Sequence, residues 1–142
     1  MAPAPSVSVV IPAHNEAPSV GGVVTELRQV LEADSVHGDG FEILVVDDGS
    51  TDDTSAVARE AGAKVVRNAE SRGYGSTLKR GMRLAEGRIL VIIDADGTYP
   101  VSELPAMLRL MDDGAEQVIG ARVARGAKIP LLRRPAKWAV NW

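Results

Sequence analysis

Glu42-Ile43-Leu44-Val45-Val46-Asp47-Asp48-Gly49-Ser50 and Arg88-Ile89-Leu90-Val91-Ile92-Ile93-Asp94-Ala95-Asp96-Gly97 decide how this chain folds. In each stretch a short apolar run, rich in β-branched residues, ends in a pair of carboxylates. Runs of this length and composition read as buried strands. A carboxylate close to a core is costly without partners. Where such strands run parallel, ligands bind in the crevice outside their carboxyl ends. Four carboxylates gathered on one rim call for a counter-charge, and a divalent metal carrying a phosphorylated ligand would supply it.

Outward from these two stretches, strand and helix signals alternate along the chain. Residues 7–11 predict the first strand. A helix is expected from about Ser19, with Val20, Val23, Val24, Leu27, Val30 and Leu31 forming one apolar stripe at helical spacing. A loop over 34–40 leads to the second strand at 41–46. Ser50-x-x-Asp53 has the form of a capping-box variant opening a short helix that stops at Gly62. A third strand is expected at 64–67. The next helix turns Leu78, Gly81, Met82 and Ala85 inward and closes at Gly87, with Gly81 allowing close packing. The fourth strand is 88–93. Ser102 is placed to cap a helix carrying Leu104, Leu108 and Met111, with Pro105 tolerable in its first turn. A short fifth strand is expected at 117–121.

This rhythm implies an α/β fold, a mostly parallel sheet with helices on both faces. With strand order 3-2-1-4, the switch point falls between the first and fourth strands. The loops 12–16 and 94–100 then flank the crevice, with Asp47-Asp48 beside them. Adjacent strands lie about 4.8 Å apart, so all three loops reach a single nucleotide.

The chain has 142 residues, enough for one domain with a sizeable core. It has no cysteine, which excludes disulfides and thiolate metal sites and fits a reducing compartment. Met1-Ala2-Pro3-Ala4-Pro5 has neither the basic region nor the apolar stretch of a signal peptide. No apolar run approaches the roughly 20 residues of a membrane-spanning helix. The net charge of −3 conceals an asymmetry: residues 122–142 hold six basic residues and no acidic one, leaving a net of −9 on the rest. We therefore divide the chain at this point, with a nucleotide-binding domain over 1–121 and a basic tail over 122–142. The tail contains both tryptophans, Trp138 and Trp142, and ends without a cap or breaker, as a chain cut from something longer would.

Several constellations have two readings. In an extended segment, Asp94 and Asp96 point to the same side and can converge on one cation; magnesium is typically held by one or two carboxylates plus substrate phosphates. The alternative is a turn with Gly97 or a cap on the next helix. Asp47 and Asp48, at a strand end, suit acceptance from a base N–H or ribose hydroxyl. Asp52 and Asp53 fit local cap chemistry at a helix start. His14 is notable for its position rather than its type. Gly73-Tyr74-Gly75 lacks the third glycine of a dinucleotide fingerprint, since position 78 is Leu78. In the tail, Arg122 is placed to pair with a diphosphate. Arg133, Arg134, Lys137 and the tryptophans suit a headgroup region, or else a solvated surface.

Together, Ser8-Val9-Val10-Ile11-Pro12-Ala13-His14-Asn15-Glu16, Val45-Val46-Asp47-Asp48-Gly49-Ser50-Thr51-Asp52 and Asp94-Ala95-Asp96-Gly97-Thr98-Tyr99-Pro100 resemble the family-two inverting GT-A glycosyltransferases. The Asp-Ala-Asp-Gly-Thr-Tyr-Pro stretch is most similar to the polyprenyl-phosphate sugar transferases, such as dolichyl-phosphate mannose and glucose synthases. The resemblance implies a GT-A three-layer α/β/α sandwich with a Rossmann-like nucleotide-binding half. It implies a metal-dependent hexosyltransferase using a nucleoside-diphosphate sugar of the UDP-glucose or GDP-mannose type, with a polyprenyl phosphate or other glycan acceptor. Pro12, His14 and Glu16 would border the nucleotide, and Asp47 or Asp48 would bind the base or ribose. Asp94 and Asp96 would hold Mg²⁺ or Mn²⁺ against the diphosphate, Thr98 standing where relatives supply a third ligand. Arg122 matches the arginine that steadies the diphosphate. A cytoplasmic site, peripheral to the inner face of a membrane, is expected, with no nucleic-acid partner.

Relatives continue past the position of Trp142, so this chain is expected to bind nucleotide sugar and to transfer poorly or not at all on its own. A non-catalytic sugar-nucleotide-binding fragment shares every site with this reading. A phospho-acceptor receiver domain needs an acidic pair after the first strand, where this chain has Pro12-Ala13-His14-Asn15. A nucleotidyltransferase needs a glycine-rich loop with arginine after that strand, and none is present.

Overall fold

A computed structural model describes residues 4–34, 37–38 and 40–121. Four strands, β1 (Val7–Ala13), β2 (Phe41–Asp47), β3 (Lys64–Arg67) and β4 (Ile89–Ile92), form one sheet in the order β3-β2-β1-β4. Every pairing is parallel, as the helix between each pair of successive strands requires. The helices are α1 (Ala17–Glu32), α2 (Thr54–Glu60), α3 (Tyr74–Leu84) and α4 (Leu104–Asp112), the last preceded by a 3₁₀ turn, Val101–Glu103.

Strand periodicity sorts the side chains into two layers of core. Val9, Ile11, Ile43 and Val45 point to one face, where they meet Val20, Val24, Leu27 and Leu31 of α1, Ala58 of α2, and Leu104 and Leu108 of α4. Val10, Leu44 and Val46 point to the other and meet Leu78 and Ala85 around α3. The expected α/β/α layering is therefore present, with α3 alone on its face among the described helices. Gly81 explains how α3 lies so close. A Cβ there would stand 2.3 Å from Val10 Cγ1 and 3.0 Å from Val46 Cγ2.

The register decides where the acidic stretches emerge. Ala13 pairs with Asp47, so β1 and β2 end level. β4 leaves the ladder earlier, with Ile92 opposite Val10 and the Ile93 N–H donating to Val10 O at 3.2 Å. Asp94-Ala95-Asp96 thus begins beside the end of β1. The switch point lies between β1 and β4, as expected from the alternation.

Several expectations need correction. No fifth strand forms: residues 115–121 are irregular, and Ile119 is 72% exposed. The segment, with Val118 partly buried and Ile119 exposed, runs along a groove beside β4 instead of extending the ladder. Met82 faces outward at 45% exposure, because Thr77 and Gly81 take the buried positions of α3. That helix ends at Leu84, short of Gly87. Gly87 serves a different contact, since a Cβ there would come within 2.5 Å of the Ser8 backbone nitrogen. Helix α1 starts at Ala17, with Pro18 in its first turn, rather than near Ser19. Neither the Ser50/Asp53 capping box nor a Ser102 cap forms. Ser50 is instead drawn into a contact with the β1 loop.

Candidate functional site

The loop after β1 and the loop after β2 are stitched together residue by residue. His14 Nδ1 lies 2.8 Å from Asp48 O, the Asn15 N–H donates to Ser50 Oγ at 2.9 Å, and the Glu16 N–H donates to Thr54 Oγ1 at 2.9 Å. The Ala17 N–H reaches Asp52 Oδ2 at 3.1 Å. Asn15 adopts a left-handed conformation, φ 54°, which asparagine tolerates better than most residues. Its side-chain oxygen accepts from the Thr51 N–H at 2.8 Å. This ladder of cross-links brings two sequence motifs about 35 residues apart into one rigid rim.

Asp47 and Asp48 behave differently from each other. Asp47 is fully buried and turned away from the crevice. It accepts from the Ser50 N–H at 2.8 Å and from the Ser55 hydroxyl, with Arg67 Nη1 at 3.4 Å. Burial alone would raise its pKa, but the Ser50 and Ser55 hydrogen bonds and the Arg67 charge lower it. Asp48 is 5% exposed and receives four hydrogen bonds. Asn68 Nδ2 (2.7 Å) and the Arg72 N–H (2.8 Å) donate to Oδ1; Ser71 Oγ (2.8 Å) and the Gly73 N–H (2.9 Å) donate to Oδ2. Burial opposes the charge here too, yet these donors hold the carboxyl far below its ordinary value.

Asp94-Ala95-Asp96 is the open side of the rim. Ala95 is 2% exposed and anchors the segment, while Asp94 is half-buried and Asp96 exposed. Tyr74 Oη donates to Asp94 Oδ1 at 3.1 Å. Partial desolvation first, and then the charge of Asp94, raises the phenol pKa, so Tyr74 remains a protonated donor at neutral pH. Asp96 Oδ1 accepts from the Thr98 N–H at 2.9 Å and its hydroxyl at 2.8 Å, across Gly97 at φ 73°. The turn reading of this motif is therefore realised at Asp96, without excluding the other.

Pro12, Ala13, His14, Glu16, Asp48, Tyr74, Thr77, Asp94, Ala95 and Asp96 line a single cleft of about 320 Å³. It brings together six residues singled out from the sequence: Pro12, His14, Glu16, Asp48, Asp94 and Asp96. It leaves out Asp47, whose carboxylate serves the β2–α2 turn. It also leaves out Thr98, whose hydroxyl is directed at Asp96. Arg122 and the rest of the basic tail, 122–142, lie outside the described residues. Tyr74, Thr77 and the donors of the Asn68–Gly73 loop had not been anticipated. Their signal was the Gly73-Tyr74-Gly75 triplet, set aside for lacking a third glycine. Gly73, at φ 82°, turns the chain into α3 and gives its N–H to Asp48.

Besides the imidazole of His14, whose Nδ1 is engaged by Asp48 O, the side-chain donors on the cleft wall are oxygens, which suits a hard divalent cation. Among the described residues no group of three or more His, Cys, Asp or Glu side chains is disposed to hold a metal unaided. Two carboxylates with open space beside them fit an ion that completes its coordination with ligand phosphate and water.

The Glycosyl transferase family 2 sequence profile matches residues 8–141. The chain belongs to glycosyl transferase family 2. Among its relatives, a dolichyl-phosphate hexose transferase of Haloferax volcanii is 34% identical over 128 residues, 89% of this chain and 53% of the relative. Two solved structures are similar in fold, which is of the GT-A type. The glucosyl-3-phosphoglycerate synthase of Mycobacterium tuberculosis, in complex with Mn²⁺, UDP and glucosyl-3-phosphoglycerate, has a TM-score of 0.63 at 30% identity, over 75% of this chain and 39% of that one. A mannosyltransferase of Pyrobaculum calidifontis, in complex with GDP-Man and Mn²⁺, has a TM-score of 0.61 at 30% identity, over 79% and 34%. The chain spans about half the length of the curated relatives it matches, or less. Among the described residues, no helix is long and apolar enough to cross a membrane.

Proposed function

We propose that the chain forms the donor-binding part of an inverting glycosyltransferase that moves a hexose from a nucleoside-diphosphate sugar to a polyprenyl phosphate. One observation carries this reading: the three motifs, separated by some 80 residues of sequence, line one acidic cleft at the switch point of the sheet. The similarity to a dolichyl-phosphate hexose transferase supports the acceptor class. The neighbours bound to UDP and to GDP-Man support the donor class and leave both bases open.

In this reading His14 and Pro12 border the nucleotide at the end of β1, and Glu16 closes that side. Asp48 keeps the Asn68–Gly73 loop in place as one wall. Asp94 and Asp96 hold Mg²⁺ or Mn²⁺, which as a Lewis acid supplies charge stabilisation for the diphosphate. Arg122 is assigned to the same diphosphate, as its place in the motif order suggests. An acceptor oxygen attacks the anomeric carbon opposite the diphosphate. The carbon–oxygen bond to the leaving group breaks, its electron pair passes to the departing diphosphate, and the centre inverts. A polyprenyl phosphate is already ionised at neutral pH, so attack requires no general base. The basic, tryptophan-bearing tail suits an anionic lipid surface. On this reading the protein works in the cytoplasm, against the inner face of a membrane.

Incubation of the protein with labelled UDP-glucose or GDP-mannose, Mn²⁺ and a short polyprenyl phosphate tests the proposal. A low yield of label is expected in the organic phase, as a glycosyl phosphate of inverted anomeric configuration readable by NMR. Donor binding without product from either nucleotide sugar would replace the transferase reading with a binding role.

A further inference from the structure

Tyr74 occupies a position that burial does not explain. It is the first residue of α3, it is 57% exposed, and it stands where the nucleotide cleft meets a second, apolar groove along β4. A residue so exposed contributes little to the core. Its backbone, by contrast, is tightly placed. The two N–H groups immediately before it, on Arg72 and Gly73, both donate to the carboxylate of Asp48. From that anchored start the ring reaches across the cleft, and its hydroxyl meets Asp94 Oδ1 at 3.1 Å.

The torsion that orients an aspartate carboxylate is soft and broadly distributed. Asp94 is half-buried, on the segment leaving β4, and a donor on one oxygen fixes the plane of the group. We propose that Tyr74 is a positioning residue for the cation site: held by Asp48 through the Arg72–Gly73 backbone, it orients Asp94 so that the carboxylate is presented to a divalent ion. The inference rests on the functional reading above, which assigns Asp94 to the cation, and it extends that reading to a residue outside the acidic motifs. It also makes the two acidic motifs one connected unit, Asp48 to Gly73 to Tyr74 to Asp94. Partners that orient metal ligands in this way typically change metal affinity by 10- to 100-fold, and the exposure of Tyr74 places the expected effect near the lower end, at about tenfold.

Tyr74→Phe keeps the ring and removes the donor. Two quantities separate positioning from a general structural role: apparent Mn²⁺ affinity in the presence of UDP or GDP, read from the EPR signal of free Mn²⁺, and nucleotide affinity without metal, read by calorimetry. The variant is expected to bind Mn²⁺ about tenfold more weakly while its metal-free nucleotide affinity stays within about twofold of the wild type. Unchanged Mn²⁺ affinity, or an equal loss in both quantities, would overturn the assignment of Tyr74. If the wild-type chain itself shows no gain in nucleotide affinity from Mn²⁺, the functional reading fails first. A wild-type gain that Tyr74→Phe retains removes the role of Tyr74 alone.

Discussion

The two acidic motifs share a sequence grammar, an apolar strand followed by aspartates, yet the fold treats them in opposite ways. After β2, Asp47 and Asp48 are 0% and 5% exposed and are surrounded by hydroxyl and amide donors from other parts of the chain. After β4, Asp94 and Asp96 lie on an open rim, held by Tyr74 and by a local turn with Thr98. A buried carboxylate satisfied by four donors is part of the framework, because removing it strands those donors away from water. A carboxylate on an open rim keeps coordination capacity for a ligand. The same contrast appears at the opposite end of the sheet. There Glu42 is buried against Ser8, Lys64 and the Glu86 N–H, and it lines neither of the two clefts described above. Motif identity alone therefore does not fix a carboxylate's surroundings; its burial by neighbouring loops does.

The comparison breaks most readily at Asp48. Asp48→Ala is expected to cost about 3 kcal/mol of stability by leaving the Asn68–Gly73 donors unpaired, measured as a shift in the urea midpoint; an unshifted midpoint would remove the framework role. The same residue predicts an acid limb. Its folded pKa lies below its unfolded value of about 3.9, so its contribution is complete above about pH 5 and is lost as pH falls towards the folded value. Thermal melts of the wild type should drop steeply below about pH 4, and those of Asp48→Asn less steeply. Parallel slopes would assign the acid sensitivity elsewhere.

At the open rim the expectation reverses. Asp96→Ala should leave stability within about 0.5 kcal/mol of wild type while removing the effect of Mn²⁺ on nucleotide binding; a large loss of stability would make this motif structural as well. The smallest effect is expected at Thr98. Its hydroxyl and N–H hold Asp96, so Thr98→Ala should weaken Mn²⁺ binding by about threefold. A loss well beyond tenfold would mean that Thr98 ligates the ion directly, as the family resemblance implies.

Much of this architecture was legible from the residues. The alternation of β-branched runs with the Val20–Leu31 stripe led to a parallel sheet, and the order β3-β2-β1-β4 placed three loops at one rim. What stayed hidden depends on contacts between distant segments. Ser50 looked like a helix cap, but the Asn15 N–H, 35 residues earlier, takes its hydroxyl as acceptor. Asp47 and Asp48 looked equivalent until the Asn68–Gly73 loop closed over one and Ser55 over the other. Tyr74 has no local periodicity to mark it, since the contact that singles it out is with a residue 20 positions on. The fifth strand was expected as the next element of the alternation, and residues 117–121 form no ladder beside β4.

Calorimetric titration of the wild-type chain with UDP and with GDP, each with and without Mn²⁺, examines the heart of the matter most directly. If Asp94 and Asp96 hold a cation that grips the diphosphate, one of the two nucleotides will bind distinctly more tightly when the ion is present. Equal affinities with and without Mn²⁺ for both nucleotides would contradict it.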